Sequence, residues 1–159
     1  MDWYDFLLFV HVLGAFALVG ATVVFVALIL SAWRARRPST ILALSGLAKP
    51  ATVLVSVGAV TTLVFGIWLA IYVDGYELWD FWIAAAFVLW VVSVETGRRG
   101  GKYHEQEAPV LRELVQSGRD EMTAEVRALV PNRAGLVLDA ISTVALLLIL
   151  ILMIFKPGA

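Results

Sequence analysis

The sequence predicts an all-α membrane protein, a four-transmembrane-helix bundle with both termini outside and an amphipathic helical loop on the cytoplasmic side between helices three and four. Three observations lead to this fold class. Apolar residues make up 61% and charged residues 16% of the 159 residues, against about 45–50% and about 25% in soluble domains. The apolar residues are gathered into four long stretches. The basic residues between those stretches fall almost entirely on one side.

Each apolar stretch is long enough for a membrane-spanning helix, which needs about 20 residues to cross a hydrocarbon core of about 30 Å. The residues between the third and fourth stretches, 98–133, form the one sizeable loop. The chain is therefore predicted to be a single four-span membrane domain over residues 1–159. The predicted spans are residues 4–33, 50–73, 79–97 and 134–155.

The basic residues predict the orientation of the chain. If the amino terminus is outside, eleven of the twelve Lys and Arg residues lie on one face, and Lys156 is the exception. An excess of Lys and Arg marks cytoplasmic loops, so this face is predicted to be cytoplasmic. The first stretch is predicted to be retained and not a signal peptide, because Asp2 and Asp5 precede its apolar residues. The eleven are Arg34, Arg36, Arg37, Lys49, Arg98, Arg99, Lys102, Arg112, Arg119, Arg127 and Arg133.

Helix one is predicted to begin at an aromatic pair, Trp3 and Tyr4, and to end at Trp33 before an arginine cluster. Aromatic rings at both ends of a span and arginines at one end are typical anchors in the headgroup region. Pro50 is predicted to lie in the first turn of helix two, where its missing N–H is not needed. An earlier start within residues 41–48 is the alternative.

Helix two carries small residues at every fourth position. This spacing puts them on one face of the helix and lets a neighbouring backbone approach closely. They are therefore predicted to form a packing seam, either against helix one or against a second protomer. The seam residues are Gly58, Thr62, Gly66 and Ala70.

Helix three is predicted to end near Gly97. In the loop that follows, apolar residues recur at helical spacing. They predict two short amphipathic helices, broken near Ser117 and Gly118, that lie on the bilayer surface or cap the bundle. Pro131 is predicted to end the second of them.

His11 is the first candidate for a functional side chain. It lies about 10 Å below the predicted outer surface, at 1.5 Å per helical residue. A neutral histidine there could ligate haem b or copper, or shuttle a proton; the alternative is an interhelical hydrogen bond. Since His104 lies on the opposite side, a second haem ligand would be Met153, His11 of a second protomer, or an open position.

A polar stripe on helix four is the second candidate. Asp139, Ser142 and Thr143 share one face of an otherwise apolar helix, and such a stripe is predicted to face the bundle interior. Lys49 and Glu95 come to about the same inner depth on helices two and three, which predicts an inner-leaflet charge cluster. The cluster is either a buried ion pair that fixes helix register or a proton or cation relay.

Several function classes have no support in the residues. The chain has no cysteine, and it contains no Gly-rich phosphate loop, no His-Glu-x-x-His pair and no Gly-x-Ser-x-Gly elbow. A net charge of −1 gives no overall basic field for nucleic acid. These observations favour a protein that is not an enzyme, with no catalytic residue assigned and the metal content open.

Three short patterns together resemble a known family: HVLG at residues 11–14, GIWL at 66–69 and MIFKP at 153–157. In this order they resemble the predicted bacterial integral membrane proteins called domain of unknown function 2269. The resemblance covers essentially the whole chain and implies a four-helix unit in a bacterial cytoplasmic (inner) membrane. A more distant similarity, to copper-resistance D-type proteins and histidine-bearing membrane protoporphyrinogen oxidases, extends only to His11.

Three functions stay open at this point. The first is a small transport-related or accessory membrane subunit with its polar interior at Asp139. The second is a haem- or metal-binding redox protein that uses His11. The third is a structural helical bundle that binds a partner. The expected partners are the lipid bilayer and either a second copy of the chain or another membrane protein.

Overall fold

The computed structural model describes residues 2–130 and 132–158, and this part of the chain is helical without any strand. Four of its helices are long and apolar enough to cross a membrane. The predicted all-α, four-span fold class is thereby confirmed. The helices are α1 (Trp3–Arg34), α2 (Pro38–Tyr72), α3 (Phe81–Gln116), α4 (Ala124–Leu129) and α5 (Arg133–Phe155).

Local signals in the sequence explain where α1 and α2 begin. The Asp2 carboxylate accepts the backbone N–H of Trp3 at 2.7 Å, and the Asp5 carboxylate accepts the N–H of Asp2 at 3.3 Å. These acceptors satisfy backbone donors that the first turn of a helix leaves free. Pro38 occupies the first turn of α2, where a residue without an N–H costs nothing.

Two predicted helix boundaries are wrong. α2 begins at Pro38, so Pro50 lies inside the helix and not in its first turn. α3 does not end near Gly97 but continues to Gln116, so the first predicted amphipathic helix is its continuation. Residues 38–49 include several Leu and Ala residues, and the continuation of α3 includes Gln, Glu, Lys and Arg. All of these residue types are good helix formers, so neither helix is limited to its most apolar stretch.

The break after α3 lies where the sequence predicted it. Ser117 caps α3, and Gly118 has a φ of 75°, a left-handed conformation that glycine adopts without steric cost. The second predicted amphipathic helix is α4, whose first turn is capped by the Thr123 hydroxyl. Pro131, predicted to end that helix, lies outside the described residues.

The spanning helices pack as two antiparallel pairs, α1 with α2 and α3 with α5, while α2 and α3 share a smaller contact. We call the end of the molecule with the α1–α2 turn and α4 the basic end, and the opposite end the terminal end. At the basic end a buried apolar cluster of Ala35, Ile41, Leu111 and Val130 joins the two pairs.

A hydrogen-bonded carboxylate also joins the pairs at the basic end. The Asp120 carboxylate accepts the backbone N–H of Ser39 at 2.9 Å and its hydroxyl at 2.7 Å. These two donors, together with the positive charge of Arg37, lower the pKa of Asp120 below its ordinary value of 3.8. The ionised carboxylate therefore ties the start of α2 to the segment after α3.

The surface of the helices suits lipid. Phe16 in the middle of α1 is 74% exposed and Ile154 near the end of α5 is 73% exposed, whereas a soluble protein rarely exposes large contiguous apolar patches. At the terminal end, Lys156 donates a hydrogen bond to the Tyr76 hydroxyl at 2.9 Å and lies over the Trp82 ring. Aromatic and basic side chains of this kind anchor membrane proteins at the lipid–water boundary.

Candidate functional site

One face of α3 brings polar and small residues to α5. Ser93, Gly97, Gly100, His104 and Glu107 follow one another at intervals of four and three residues, which places them in line on a helix. The first three lie in the apolar part of α3 or at its edge. The last two lie in its continuation toward the basic end. The seam between α3 and α5 is therefore polar over this length.

Glycines allow the two helices to approach closely enough for side chains to bond across the seam. A Cβ atom added at Gly100 would overlap the Asp139 carboxylate, and one added at Gly135 would lie 3.2 Å from the Tyr103 Cβ. Both glycines are buried. The space at Gly100 holds the carboxylate of Asp139, and the space at Gly135 lies against Tyr103 and His104.

His104 lies between two carboxylates. Its Nε2 is 2.7 Å from Oδ2 of Asp139, and its Nδ1 is 3.6 Å from Oε2 of Glu107. The other oxygen of Glu107 accepts the backbone N–H of Asn132 at 2.6 Å. In the imidazolium form His104 can donate a hydrogen bond to Asp139 and form an ion pair with Glu107 at the same time.

This arrangement allows a proton to be shared between His104 and Asp139. The short contact joins the imidazole Nε2 of His104 to an oxygen of Asp139, and a proton can lie on either atom. The two carboxylates contact opposite ring nitrogens, so they do not converge on one point. Consistent with this, the described residues contain no group of three His, Cys, Asp or Glu side chains that could hold a metal ion.

Hydroxyl groups continue the polar contacts from Asp139 toward the middle of the helices. The Thr143 hydroxyl donates to the Asp139 backbone carbonyl at 2.8 Å. Ser142 and Ser93 bond reciprocally: each hydroxyl donates to the other residue's carbonyl, at 2.8 Å and 3.0 Å. The stripe predicted on α5 thus meets α3 through Asp139 and Ser142.

The structure does not bring Glu95 and Lys49 to Asp139. Glu95 accepts from Arg98 at 2.8 Å and from Arg99 at 2.7 Å on the exposed surface of its own helix, and Lys49 is exposed on α2. The prediction grouped the three residues because they have similar depths along their helices. A contact also depends on the direction in which each side chain leaves its helix, and Glu95 is paired with arginines of its own helix.

His11 lies in the seam between α1 and α2. Its Nδ1 is 2.9 Å from the Thr62 carbonyl, which can only accept, so Nδ1 carries the proton. A Cβ atom added at Gly66 would lie 2.8 Å from Cε1 of His11; the imidazole fills the space over this glycine. His11 therefore makes an interhelical hydrogen bond, and the bond leaves Nε2 with its lone pair.

The small residues of α2 face α1. A Cβ atom added at Gly58 would lie 2.7 Å from the backbone nitrogen of Leu18, and one added at Gly14 would lie 2.9 Å from the backbone nitrogen of Thr62. Ala70 is half-buried at the far end of the same face. Along Gly58, Thr62 and Gly66 the seam is occupied within the chain and is not open to a second protomer.

Met153 does not share a helix pair with His11. It lies on α5, which packs against α3, whereas α1 packs against α2. A ligand pair formed by His11 and Met153 would need contact between two helices that are not paired in this fold.

The sequence did not predict the contact of His104 with Asp139, because the predicted span ended near Gly97 and left His104 in a loop. The sequence nevertheless contains a pattern that indicates this contact. The intervals of four and three residues that connect Ser93, Gly97 and Gly100 continue without interruption to His104 and Glu107. Following the helical face beyond the apolar stretch would have placed His104 opposite Asp139.

The fold and its apolar surface define the class of protein: an integral membrane protein with four spanning helices. The model of the family described as "Predicted integral membrane protein (DUF2269)" matches residues 5–157, so the chain belongs to this family. No curated protein and no solved structure matches the chain. The family match does not support the more distant likeness to copper-resistance D-type proteins.

Proposed function

We propose that the protein is a small, non-enzymatic, transport-related membrane subunit that exchanges a proton at the pair of His104 and Asp139. The observation that carries the proposal is the 2.7 Å contact between their side chains across two helices. Ionisable residues in membrane helices are costly to bury and commonly mark proton or ion pathways. Histidine is a common proton carrier in proteins, because its imidazole can both take up and release a proton.

The neighbouring groups support a proton path that begins at the basic end. Glu107 contacts the other ring nitrogen of His104, so a proton that arrives on Nδ1 can be matched by release from Nε2 to Asp139. The hydroxyls of Ser142 and Ser93 continue the polar contacts inward from Asp139. Hydroxyl groups donate and accept, which suits them to pass a proton along.

The proposed orientation follows from charge. Eleven of the twelve basic residues belong to the basic end or to the helix parts nearest it, and Lys and Arg are enriched on the cytoplasmic side of membranes. The basic end is therefore proposed to face the cytoplasm, with both termini outside. Membership of a family of predicted integral membrane proteins supports a multi-pass membrane protein, and we propose that its membrane is the bacterial inner membrane.

A proton-flux measurement tests the proposal. The protein is reconstituted into liposomes that enclose a pH-sensitive dye, and a potassium gradient with valinomycin drives proton entry. Asp139→Asn keeps the size of the side chain but cannot take up the proton, so flux is expected to fall to the level of protein-free liposomes. Glu95→Gln is the matched control, since it also neutralises a carboxylate near the same end but lies outside the cluster.

Two results would contradict the proposal. One is wild-type flux no greater than that of protein-free liposomes. The other is equal flux for wild type and Asp139→Asn when both proteins show the same helix content by circular dichroism. Loss of flux in Glu95→Gln as well would indicate a general effect of charge at this end of the helices.

A second candidate function, a haem- or metal-binding redox protein, is favoured by one feature of His11. Metal-ligating histidines usually donate their other ring N–H to a carbonyl or carboxylate, and His11 donates Nδ1–H to Thr62. The visible absorption spectrum of protein purified from cells with sufficient haem tests this function. A Soret band that disappears in His11→Ala would support it, and a colourless preparation would exclude haem.

A further inference from the structure

A surface groove between α3 and α5 at the basic end combines positive charge with apolar walls. Arg99 and Lys102 from α3 and Arg133 from the start of α5 line it, together with Tyr103. The other wall is formed by apolar side chains in the first turns of α5, namely Ala134, Val137 and Leu138. The groove therefore offers cations at one end and an apolar surface at the other.

A second groove continues from the first along the same two helices. Both are lined by Val137. The second is lined only by apolar residues, which reach Leu148 on α5 and Leu89 on α3. From Val137 to Leu148 the helix rises by about 16 Å at 1.5 Å per residue, which is about half of a hydrocarbon core of about 30 Å. The length of the apolar groove is thus about the thickness of one leaflet of the bilayer.

The basic groove keeps an excess of positive charge. Glu95 is the carboxylate nearest to Arg99, and it is shared with Arg98, so one negative charge faces two positive ones. In the part of the chain that the structure describes, the ion pairs do not include Lys102 or Arg133. Both side chains are exposed and are directed to the groove that they line.

From this arrangement we infer that the two grooves bind one anionic phospholipid, with its phosphate between Lys102 and Arg133 and an acyl chain along the apolar groove. Basic pockets between membrane helices at the membrane surface bind anionic lipid headgroups by charge complementarity. A free phosphate would use the cations but leave the adjoining apolar groove uncovered. The inference is independent of proton exchange at His104, which lies in the seam between the helices.

Retention of lipid by the full-length protein in detergent tests the inference. The probes are phosphatidylglycerol and phosphatidylcholine, added separately and measured as bound lipid by native mass spectrometry. The wild type is expected to retain phosphatidylglycerol in preference to phosphatidylcholine. Each basic residue near an anionic headgroup contributes roughly a 5-fold gain in affinity, so Lys102→Gln with Arg133→Gln should weaken phosphatidylglycerol binding about 25-fold.

A matched control distinguishes the grooves from general electrostatic attraction. Arg34→Gln with Arg36→Gln also removes two positive charges at the basic end, but from the end of α1, and should leave retention unchanged. Val137→Trp tests the apolar connection. Val137 is 58% exposed, so the larger side chain enters the grooves without disturbing the interior, and it should reduce phosphatidylglycerol retention severalfold.

Several outcomes would overturn the inference. Equal retention of the two lipids by the wild type would show that the charge is not recognised. Equal losses in the two double variants would indicate general attraction and no defined site. Normal retention in Val137→Trp would show that the acyl chain does not use the apolar groove. Displacement of the lipid by millimolar inorganic phosphate would assign the basic groove to free phosphate.

Discussion

Replacing Gly58 by alanine should separate α1 from α2. The added Cβ atom would lie 2.7 Å from the backbone nitrogen of Leu18 and 2.9 Å from the backbone carbonyl oxygen of Gly14. Carbon atoms in ordinary contact are about 3.5–4.0 Å from their neighbours, so the two helices must move apart by roughly 0.8 Å at this point. Neither neighbour is a flexible side chain that could turn away.

The expected cost follows from this displacement. A gap of about 0.5–1 Å forfeits a quarter to a half of the dispersion energy of each contact that it opens, and overpacking of this kind typically costs about 1–3 kcal/mol. Two control positions separate this effect from helix propensity. A Cβ atom at Gly20 on α1 or Gly46 on α2 would meet nothing within 4 Å. Alanine at either should stabilise its helix by up to about 1 kcal/mol.

The assay is equilibrium unfolding in mixed micelles, with an increasing fraction of sodium dodecyl sulfate and helix content followed by circular dichroism. Gly58→Ala should have a free energy of unfolding lower than that of Gly46→Ala by about 1–3 kcal/mol, because both variants gain the same helix propensity and only Gly58→Ala is overpacked. Equal stability of these two variants on the same helix would refute the close approach of α1 and α2 at Gly58.

Three further predictions concern single contacts and use the same unfolding assay. Ser142→Ala removes the hydrogen bond that the Ser142 hydroxyl donates to the Ser93 carbonyl and should cost about 0.6–1.7 kcal/mol, as interhelical hydrogen bonds in membrane proteins do. Because the folded pKa of Asp120 is depressed, its stabilising contribution is present above the ordinary pKa of 3.8 and is lost as the pH falls through the lowered value. Asp120→Asn should therefore lower stability at neutral pH and remove this acid-sensitive step. Lys156→Met removes the cation near two aromatic rings and should cost about 0.5–1 kcal/mol. For each of the three variants, stability equal to that of the wild type would count against the contact concerned.

The number of spanning helices could be predicted from sequence, because it depends on length and hydropathy alone. Small residues at every fourth position of α2 also indicated a face for close packing, since a helix repeats every 3.6 residues. The neighbour on that face could not be derived from α2 itself. The neighbour is α1, where the absence of a side chain at Gly14 allows Thr62 to approach closely.

The partners of the ionisable residues could not be predicted, and the reason is geometric. Depth along a helix follows from residue number, but a contact also requires that two side chains face each other. Glu95 and Asp139 have similar predicted depths, yet Glu95 bonds within its own helix. His104 was assigned to a loop because hydropathy falls near Gly97, and hydropathy reports where lipid ends and not where a helix ends.

The two histidines occupy equivalent settings in the two helix pairs. His11 of α1 lies over Gly66 of α2, and His104 of α3 lies beside Gly135 of α5. In each pair a glycine on one helix makes room for an imidazole on the other, and the imidazole bonds across the seam. The pairs differ in the acceptor: a backbone carbonyl for His11 and a carboxylate for His104. Only the second acceptor can take up a proton, which favours His104 as the site of proton exchange.

These settings lie at opposite ends of the molecule and in different pairs, so the two histidines cannot belong to one site. Any influence of one on the other must cross from α1–α2 to α3–α5. The pairs contact each other through α2 and α3. This contact includes the basic end, where Ile41 of α2 and Leu111 of α3 share a buried cluster and Ser39 bonds to Asp120. This connection adjoins the end of the seam that holds His104. A change in the spacing of α3 and α5 on proton exchange would therefore reach the start of α2 before it reached His11.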